Sequence, residues 1–404
     1  MAQLKVSVTA QSPLCFSERR PGGQFRNSTE FIPGSVLRGA AAGVMLRQGL
    51  ETDVDFQRLF GVGRPAQAIF RGAYPGEHSL PATAMSCKDN SGFRTSEGAH
   101  GVYDTLITML CFEALQPPGF LYTPKCLQAG CDPGRAEAFS GFYTRTKDCY
   151  TRMSIPQRLL TRVGINRRRM ATEPELLYSP VVLTEAWWQG ERPVQAQFTG
   201  TVWVDDTLAE GLRDVLKSIT HVGSGAARGL GHVLVDCESV SSGDDLAERV
   251  HLVRQRIGQF QTEFEADWSP LQQLCPAPPV CPQVFTVNMR SDAILKERDW
   301  LPTAVLTADM LRQATGVTGG HLALLRSVSS HDYRGGWHTA RRLPKDTELV
   351  TRRGSVFVFE VEEVEPWLEP LTRLEWRGLG ERTEEGFGEV TICDAFHVEG
   401  RNLV

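Results

Sequence analysis

The sequence predicts an α+β fold made of two related halves. A helix, a glycine-rich loop and a strand follow one another twice, and between the two sets the chain restarts as a strand after a break rich in proline and cysteine. Its 404 residues exceed one ordinary domain, so two or three units are expected. With 41% hydrophobic and 23% charged residues the composition is that of a globular protein. No apolar run is long enough to span a bilayer. The N-terminus, "MAQLKVSVTAQSP", has no signal-peptide core, so a cytoplasmic location without membrane contact is expected. Ten cysteines in that setting do not read as a disulfide framework. Cys111, isolated in "LITMLCFEAL", reads as a core residue.

The first strand is "LKVSVTA", with Leu4, Val6 and Val8 on one face and Lys5, Ser7 and Thr9 on the other. A polar loop, "SERRPGGQFRNSTEF", leads to "IPGSVLRGAAAGVMLRQGL". Pro33 starts that helix, and Val36, Leu37, Ala40, Ala41, Val44 and Met45 share a side. Further on, Leu208, Leu212, Val215, Leu216 and Ile219 mark the buried face of a second helix. It runs into "THVGSGAARGLGHVLV", residues 220–235, which ends as a strand.

The order helix, glycine loop, strand excludes two nucleotide sites. A dinucleotide fold needs strand, loop, helix, because the pyrophosphate sits on the helix N-terminus. Here the loop follows a helix C-terminus, the negative end of its dipole. The Gly-Lys-Ser/Thr of a P-loop is absent. In the second half, Trp367, Leu368, Leu371 and Leu374 mark a helix, "RGLGERTEEGFGEV" follows, and "VTICDAF" is the strand. Gly229-Leu230-Gly231-His232-Val233 aligns with Gly386-Phe387-Gly388-Glu389-Val390, which predicts an internal duplication. The break "CPAPPVCPQ" sets a first unit over 1–240, a linker or connecting helix over 241–283, and a second unit over 284–404.

The formal net charge of −5 argues against a molecule that is basic all over. Its distribution is uneven. Between residues 144 and 170, Arg145, Lys147, Arg152, Arg158, Arg162, Arg167, Arg168 and Arg169 face one acid, Asp148. A basic stretch on an acidic body predicts a confined polyanion site, or else a solvated arginine-rich loop.

Four stretches together resemble the RAMP superfamily of CRISPR proteins: "FIPGSVLRGA" its first helix, "GSGAARGLGHV" its glycine loop, "TRVGINRRRMATEPELLYS" its arginine-rich thumb, and the second glycine loop a second RAMP domain. "PATAMSCKDNSGF" and "GGWHTARRLPKDTELVTRRGSVFVF" narrow the likeness to the two-domain subunit of type III-D effectors. The resemblance implies two ferredoxin-like (RRM-like) domains, with a Cys/His-containing insertion at about 81–144 and a basic thumb at about 144–180 of the first. It also implies a subunit that caps the 5′ repeat-derived tag of the guide RNA. Its partners would be guide RNA, other RAMP subunits, the large signature subunit and, indirectly, target RNA.

Within that resemblance, Gly223, Gly225, Ser224 and Arg228 would grip an RNA backbone, the glycines by close approach and the arginine by its fork. The bland alternative is a tight connection needing glycine for geometry alone. Ser35 and Arg38 at the first helix start, with Arg19, Arg20 and Arg26 before it, would line the same groove, or the first two would simply cap a structural helix. Arg162, Arg167, Arg168 and Arg169 would neutralise backbone while Ile165 or Met170 wedges beside a base. The acids of the second loop, Glu381, Glu384 and Glu385, make it a poorer clamp, suited instead to packing on a neighbouring subunit.

Cys126 and Cys131, four residues apart, have a permissible zinc-knuckle spacing. Cys87 and His100 would complete a Cys3His structural zinc site, with Cys111 and Cys149 as competitors. A small loop-rich insertion gains from such a staple. The best catalytic constellation is His221 and His232 around Arg228, as in a metal-independent endoribonuclease that processes guide RNA or cuts target RNA. Glu173 and Asp148, the acids nearest the arginine run, fall in no recognisable motif. The expectation is therefore a non-catalytic RNA-binding subunit, with that nuclease as the alternative and a pure scaffold as a third reading.

Overall fold

The computed structural model describes residues 1–16, 25–26, 28–132, 134–147, 149–240, 246–338 and 343–404. The fold is α+β, and both main sheets are antiparallel. The first unit runs β1 (Ala2–Ala10), α1 (Gly34–Arg47), β2 (Ala68–Tyr74), then a long excursion containing α2 (Leu106–Leu115), β3 (Arg162–Asn166) and β4 (Ala171–Leu183). It closes with β5 (Gln197–Val204), α3 (Ala209–Lys217) and β6 (Val233–Val240). A connecting helix, α4 (Leu246–Gln272), follows. The second unit is β7 (Gln283–Met289), α5 (Ala308–Thr315), β8 (Leu322–Val328), β9 (Val356–Val361), α6 (Leu368–Arg377) and β10 (Val390–Ile392).

The main sheets have one topology. The first is ordered β6-β1-β5-β2 and the second β10-β7-β9-β8, so each places its fourth, first, third and second strands side by side. In β1 the period-two pattern does what it predicts. Leu4, Val6 and Val8 are fully buried, in register with Val202, Gly200 and Phe198 of β5. Leu37, Ala41 and Val44 of α1 and Leu212 and Leu216 of α3 close this first core. Trp367, Leu368, Leu371 and Leu374 are all buried in the second core.

The glycine loops repeat to the residue. Each holds a three-residue 3-10 turn, Ala226–Arg228 in one and Thr383–Glu385 in the other, followed by a glycine in the left-handed region, Gly229 and Gly386. Two residues on, Gly231 and Gly388 have φ of +84° and +68°. A Cβ there would lie 2.3 Å from the Val222 carbonyl and 1.8 Å from that of Leu379. The same pairs close the loops, Val222 N–H donating to Gly231 O and Leu379 N–H to Gly388 O, both at 2.8 Å. Only glycine fits that place.

The excursion leaves the first unit in sequence and packs on the second in space. Helix α4 buries Val253, Ile257, Phe260, Phe264 and Trp268 against the second sheet, and α2 adds Leu106, Ile107 and Leu110 to that core. Leu80, Phe93, Phe139, Tyr143 and Tyr150 close over Phe396 from the far end of the chain. Among the described residues no helix is long and apolar enough to cross a membrane.

Candidate RNA interface and metal centre

The arginine-rich segment is a β-hairpin. β3 pairs antiparallel with β4, and residues 167–170 form its tip. Asn166 makes the tip by accepting the Arg168 and Arg169 amides on its Oδ1, at 3.0 and 3.2 Å. Arg167, Arg168 and Arg169 are all exposed, and Ile165 and Met170 beside them are 64% and 84% exposed. Apolar side chains left in water between cations are not serving this chain's core.

The hairpin base meets the first glycine loop. Arg228 donates to the Tyr178 hydroxyl at 2.9 Å and lies over its ring, and Arg162 donates to the Arg228 carbonyl at 2.9 Å. The loop is moored by Cys15, whose carbonyl accepts from the Ser224 amide at 3.0 Å and its hydroxyl at 3.3 Å. Gly223 lets that carbonyl in, since a Cβ would sit 2.6 Å from it. Gly225 opens the 3-10 turn with φ +86°, and its carbonyl accepts the Arg228 and Leu230 amides. Much of the loop's hydrogen bonding is thus spent inside the fold, and its exposed cation is the Arg228 side chain.

The other expected contacts are placed as follows. Residues 25–26 pair in parallel with Ser179 and Pro180, so the strand carrying Arg26 abuts the hairpin base, and Arg19 and Arg20 lie outside the described residues. Arg38 donates to the Phe60 carbonyl at 2.7 Å and lies over that ring. Ser35 is half-buried at the start of α1. There the second glycine loop covers the helix N-terminus, with the Glu385 carbonyl 2.7 Å from where a Gly34 Cβ would be. Its acids are used locally, Glu385 pairing with Lys345 and Arg382. So the second loop packs on the first unit of its own chain. His221 and His232 pair as a β-bridge with rings 5.2 Å apart, both exposed. Asp148 and the Glu173 side chain lie outside the described residues. Trp187 packs on the first core, while Trp188 is 71% exposed.

Cys87, His100, Cys126 and Cys131 come together with their ligand atoms all within 4.8 Å of one another. Cys87 and Cys131 sulfurs are 3.8 Å apart, and Cys126 Sγ is 3.4 Å from His100 Nδ1. Thiolates about 2.3 Å from a central ion have tetrahedral S–S edges of about 3.8 Å, and with imidazole the S–N edge is about 3.5 Å. The set therefore fits a tetrahedral metal ion. A three-stranded sheet builds it: Cys87 ends the central strand Ala84–Cys87, His100 precedes Val102–Asp104, and Cys131 precedes Ala136–Ala138. The Asn90 side-chain amide lies 3.1 Å from His100 Nε2 and turns Nδ1 toward the sulfurs. Burial opposes ionisation of Cys87, yet the Asn90 and Asp89 amides and the neighbouring thiols hold it below the usual thiol range. Cys131 is pushed up to about 11 by desolvation and by the same neighbours. Three crowded sulfurs resist sharing negative charge unless a cation joins them. The competing thiols are elsewhere: Cys111 is buried in α2 against the Phe264 carbonyl, and Cys149 is exposed.

Residues 252–394 match the family described as CRISPR-associated protein (Cas_Cmr3). The match covers 143 of the chain's 404 residues and lies in its C-terminal part. No curated protein matches it. Among solved structures it is similar to a chain of the type III-B Cmr-beta complex bound to cognate target RNA and AMPPnP, at 11% identity and TM-score 0.36, covering 88% of this chain and 86% of that one. A chain of the same complex bound to cognate target RNA matches at 11% identity and TM-score 0.32, over 58% of this chain and 96% of that one. A chain of a type IV-B CRISPR complex matches at 12% identity and TM-score 0.25, over 60% and 92%.

Proposed function

We propose that this chain is a non-catalytic, guide-RNA-binding assembly subunit of a type III CRISPR effector of the III-D kind, gripping the 5′ repeat-derived tag. The two βαββαβ units are then two ferredoxin-like domains, the first carrying a zinc-stapled insertion and an arginine thumb. One observation carries the reading: the exposed arginine hairpin and the first glycine loop form one continuous surface, joined through Arg228, Tyr178 and Arg162. Phosphate takes the cations, and the exposed Ile165 and Met170 lie where a base would be wedged. The test is to purify the chain with its companions from cells carrying its native locus and to sequence the bound RNA. RNAs of narrow length sharing a repeat-derived 5′ end are expected; RNA of random sequence, or none, overturns the tag reading.

The nuclease reading has the His221–His232 pair in its favour. Cleavage of guide or target RNA by the isolated chain, abolished by His221→Ala or His232→Ala, would replace the non-catalytic assignment.

Zinc is the ion we assign to the Cys3His set, held by the Cys87, Cys126 and Cys131 sulfurs and His100 Nδ1. Bound there it supplies a structural cross-link rather than chemistry, since all four donors come from protein. Elemental analysis of chain purified without chelators should return one zinc per molecule, and Cys126→Ser should lose it. Metal-free wild-type protein of unchanged stability would overturn the assignment.

A further inference from the structure

The second unit has an excursion of its own, in the same topological place as the first. Between β8 and β9, its second and third strands, the chain forms a hairpin in which His331–Arg334 pairs with Glu348–Thr351. Farther out, beyond Gly335 and Gly336, Trp337 pairs with Pro344. Between β2 and β5 of the first unit the corresponding excursion contains the arginine hairpin. Alternation along the strand divides the two faces of the second hairpin. Asp332 and Arg334 point one way, where Arg334 is held by Asp292 at 2.7 Å and Asp332 at 3.0 Å. His331 and Tyr333 point the other way and are exposed. Tyr333 is 51% exposed, Trp337 54% and Leu343 57%. Trp300, 70% exposed, stands on the neighbouring hairpin formed by Leu295–Glu297 and Leu301–Thr303, which packs beside strand Glu348–Thr351.

Large aromatic rings in water need a reason, and the local charge indicates which partner they suit. Between residues 331 and 353 the sequence has six lysines and arginines against three acids, in a chain of net charge −5, with Arg334 and Lys345 held in ion pairs by Asp292 and Glu385. Arg352, next to the hairpin base, is exposed. Rings beside cations suit single-stranded nucleic acid, whose bases stack on aromatic faces whatever their sequence.

We propose that the described part of this hairpin, residues 331–338 and 343–351, is a second RNA contact, a base-stacking platform on which Tyr333 and Trp337 take unpaired bases while Arg352 lies toward the backbone. The two hairpins then differ in kind: the first supplies cations, the second rings. The proposal rests on the RNA-binding reading above, and its test separates the two. Full-length chain, stripped of bound RNA, is titrated with labelled single-stranded RNA of mixed sequence at several salt concentrations. Tyr333→Ala with Trp337→Ala should weaken binding about tenfold or more and leave the salt dependence unchanged, and Trp337→Phe should restore most of the loss. Ultraviolet cross-linking of the wild type should reach Tyr333 or Trp337. Both side chains are exposed, so an unchanged melting temperature checks folding. If the aromatic variant binds as tightly as wild type while the Arg167, Arg168 and Arg169 alanine variant is weakened, the platform is overturned and the RNA-binding reading stands. If wild-type chain binds no RNA, both fall. If the aromatic variant keeps its RNA affinity but no longer co-purifies with companion subunits, the face is a protein contact and the platform is again overturned.

Discussion

Gly231 and Gly388 carry the likeness of the two glycine loops at the scale of single residues. Both hold a positive φ and both admit a carbonyl where a side chain would stand. Gly231→Ala or Gly388→Ala should cost about 3 kcal/mol or more in chemical denaturation. Gly229, with φ +76° and nothing within 4 Å of its Cβ position, should cost only about 1–2 kcal/mol as alanine. Equal losses at all three would mean that close approach does not matter. The arginines of the hairpin tip make the second prediction at this scale. Replacing Arg167, Arg168 and Arg169 by alanine should weaken RNA binding across sequences and flatten the plot of log affinity against log salt by about 2, as expected for three phosphate contacts to a single strand. An unchanged slope would support the scaffold reading instead.

Element by element, pattern and structure agree where one face of a helix or strand is buried. Of the five residues read at helical spacing, Leu208, Leu212, Leu216 and Ile219 are buried and Val215 is half-buried against the same core. The segment 241–283 carries no motif, yet α4 within it buries Val253, Ile257, Phe260, Phe264 and Trp268 at intervals of three and four. That stripe is legible as a helix; what it covers is not, because a stripe does not name its partner. Phe264→Ala should cost about 3–5 kcal/mol and lower the melting temperature of the second unit. A loss confined to the first unit would contradict this packing. The arginine hairpin is likewise partly legible. Its turn chemistry sits in Asn166 and its charges in the sequence, but its junction with the glycine loop depends on Tyr178, which no local pattern marks.

Across the whole molecule, the two halves are joined by buried polar contacts. Arg71 of β2, 1% exposed, donates to the Trp376 carbonyl of the second unit at 2.7 Å. His397, fully buried, has Nδ1 3.2 Å from the Asp104 carboxylate of the first-unit excursion, at ion-pair range but out of line for a hydrogen bond. Its Nε2 lies 2.7 Å from the Asn288 amide. Burial disfavours the imidazolium, but the Asp104 charge outweighs it and raises the His397 pKa. The raised value sets the sign. The contribution to stability is fully present below the unfolded pKa of about 6.5 and is lost as pH climbs through the folded value. Melting temperature should therefore fall on going alkaline from about pH 6. Asp104→Asn, which keeps an oxygen for the Leu106 amide and turns its NH2 group toward the Thr83 hydroxyl oxygen, should flatten that dependence. A wild-type pH profile in that variant would exclude this pair as its source.

Hydrophobic period, glycine spacing and charge runs are local properties, so the α+β class, the two helix–glycine loop–strand sets and the basic stretch could be read from the chain alone. The four members of the Cys3His set were also nameable, because knuckle spacing is short-range and only two further partners had to be chosen. The tertiary structure alone decided that these four donors meet, that the excursion of the first unit docks on the second, and that the acidic second loop covers the start of α1. Those contacts join residues far apart along the chain, and what selects them is complementary burial and pairing across the seam, which no window of sequence contains.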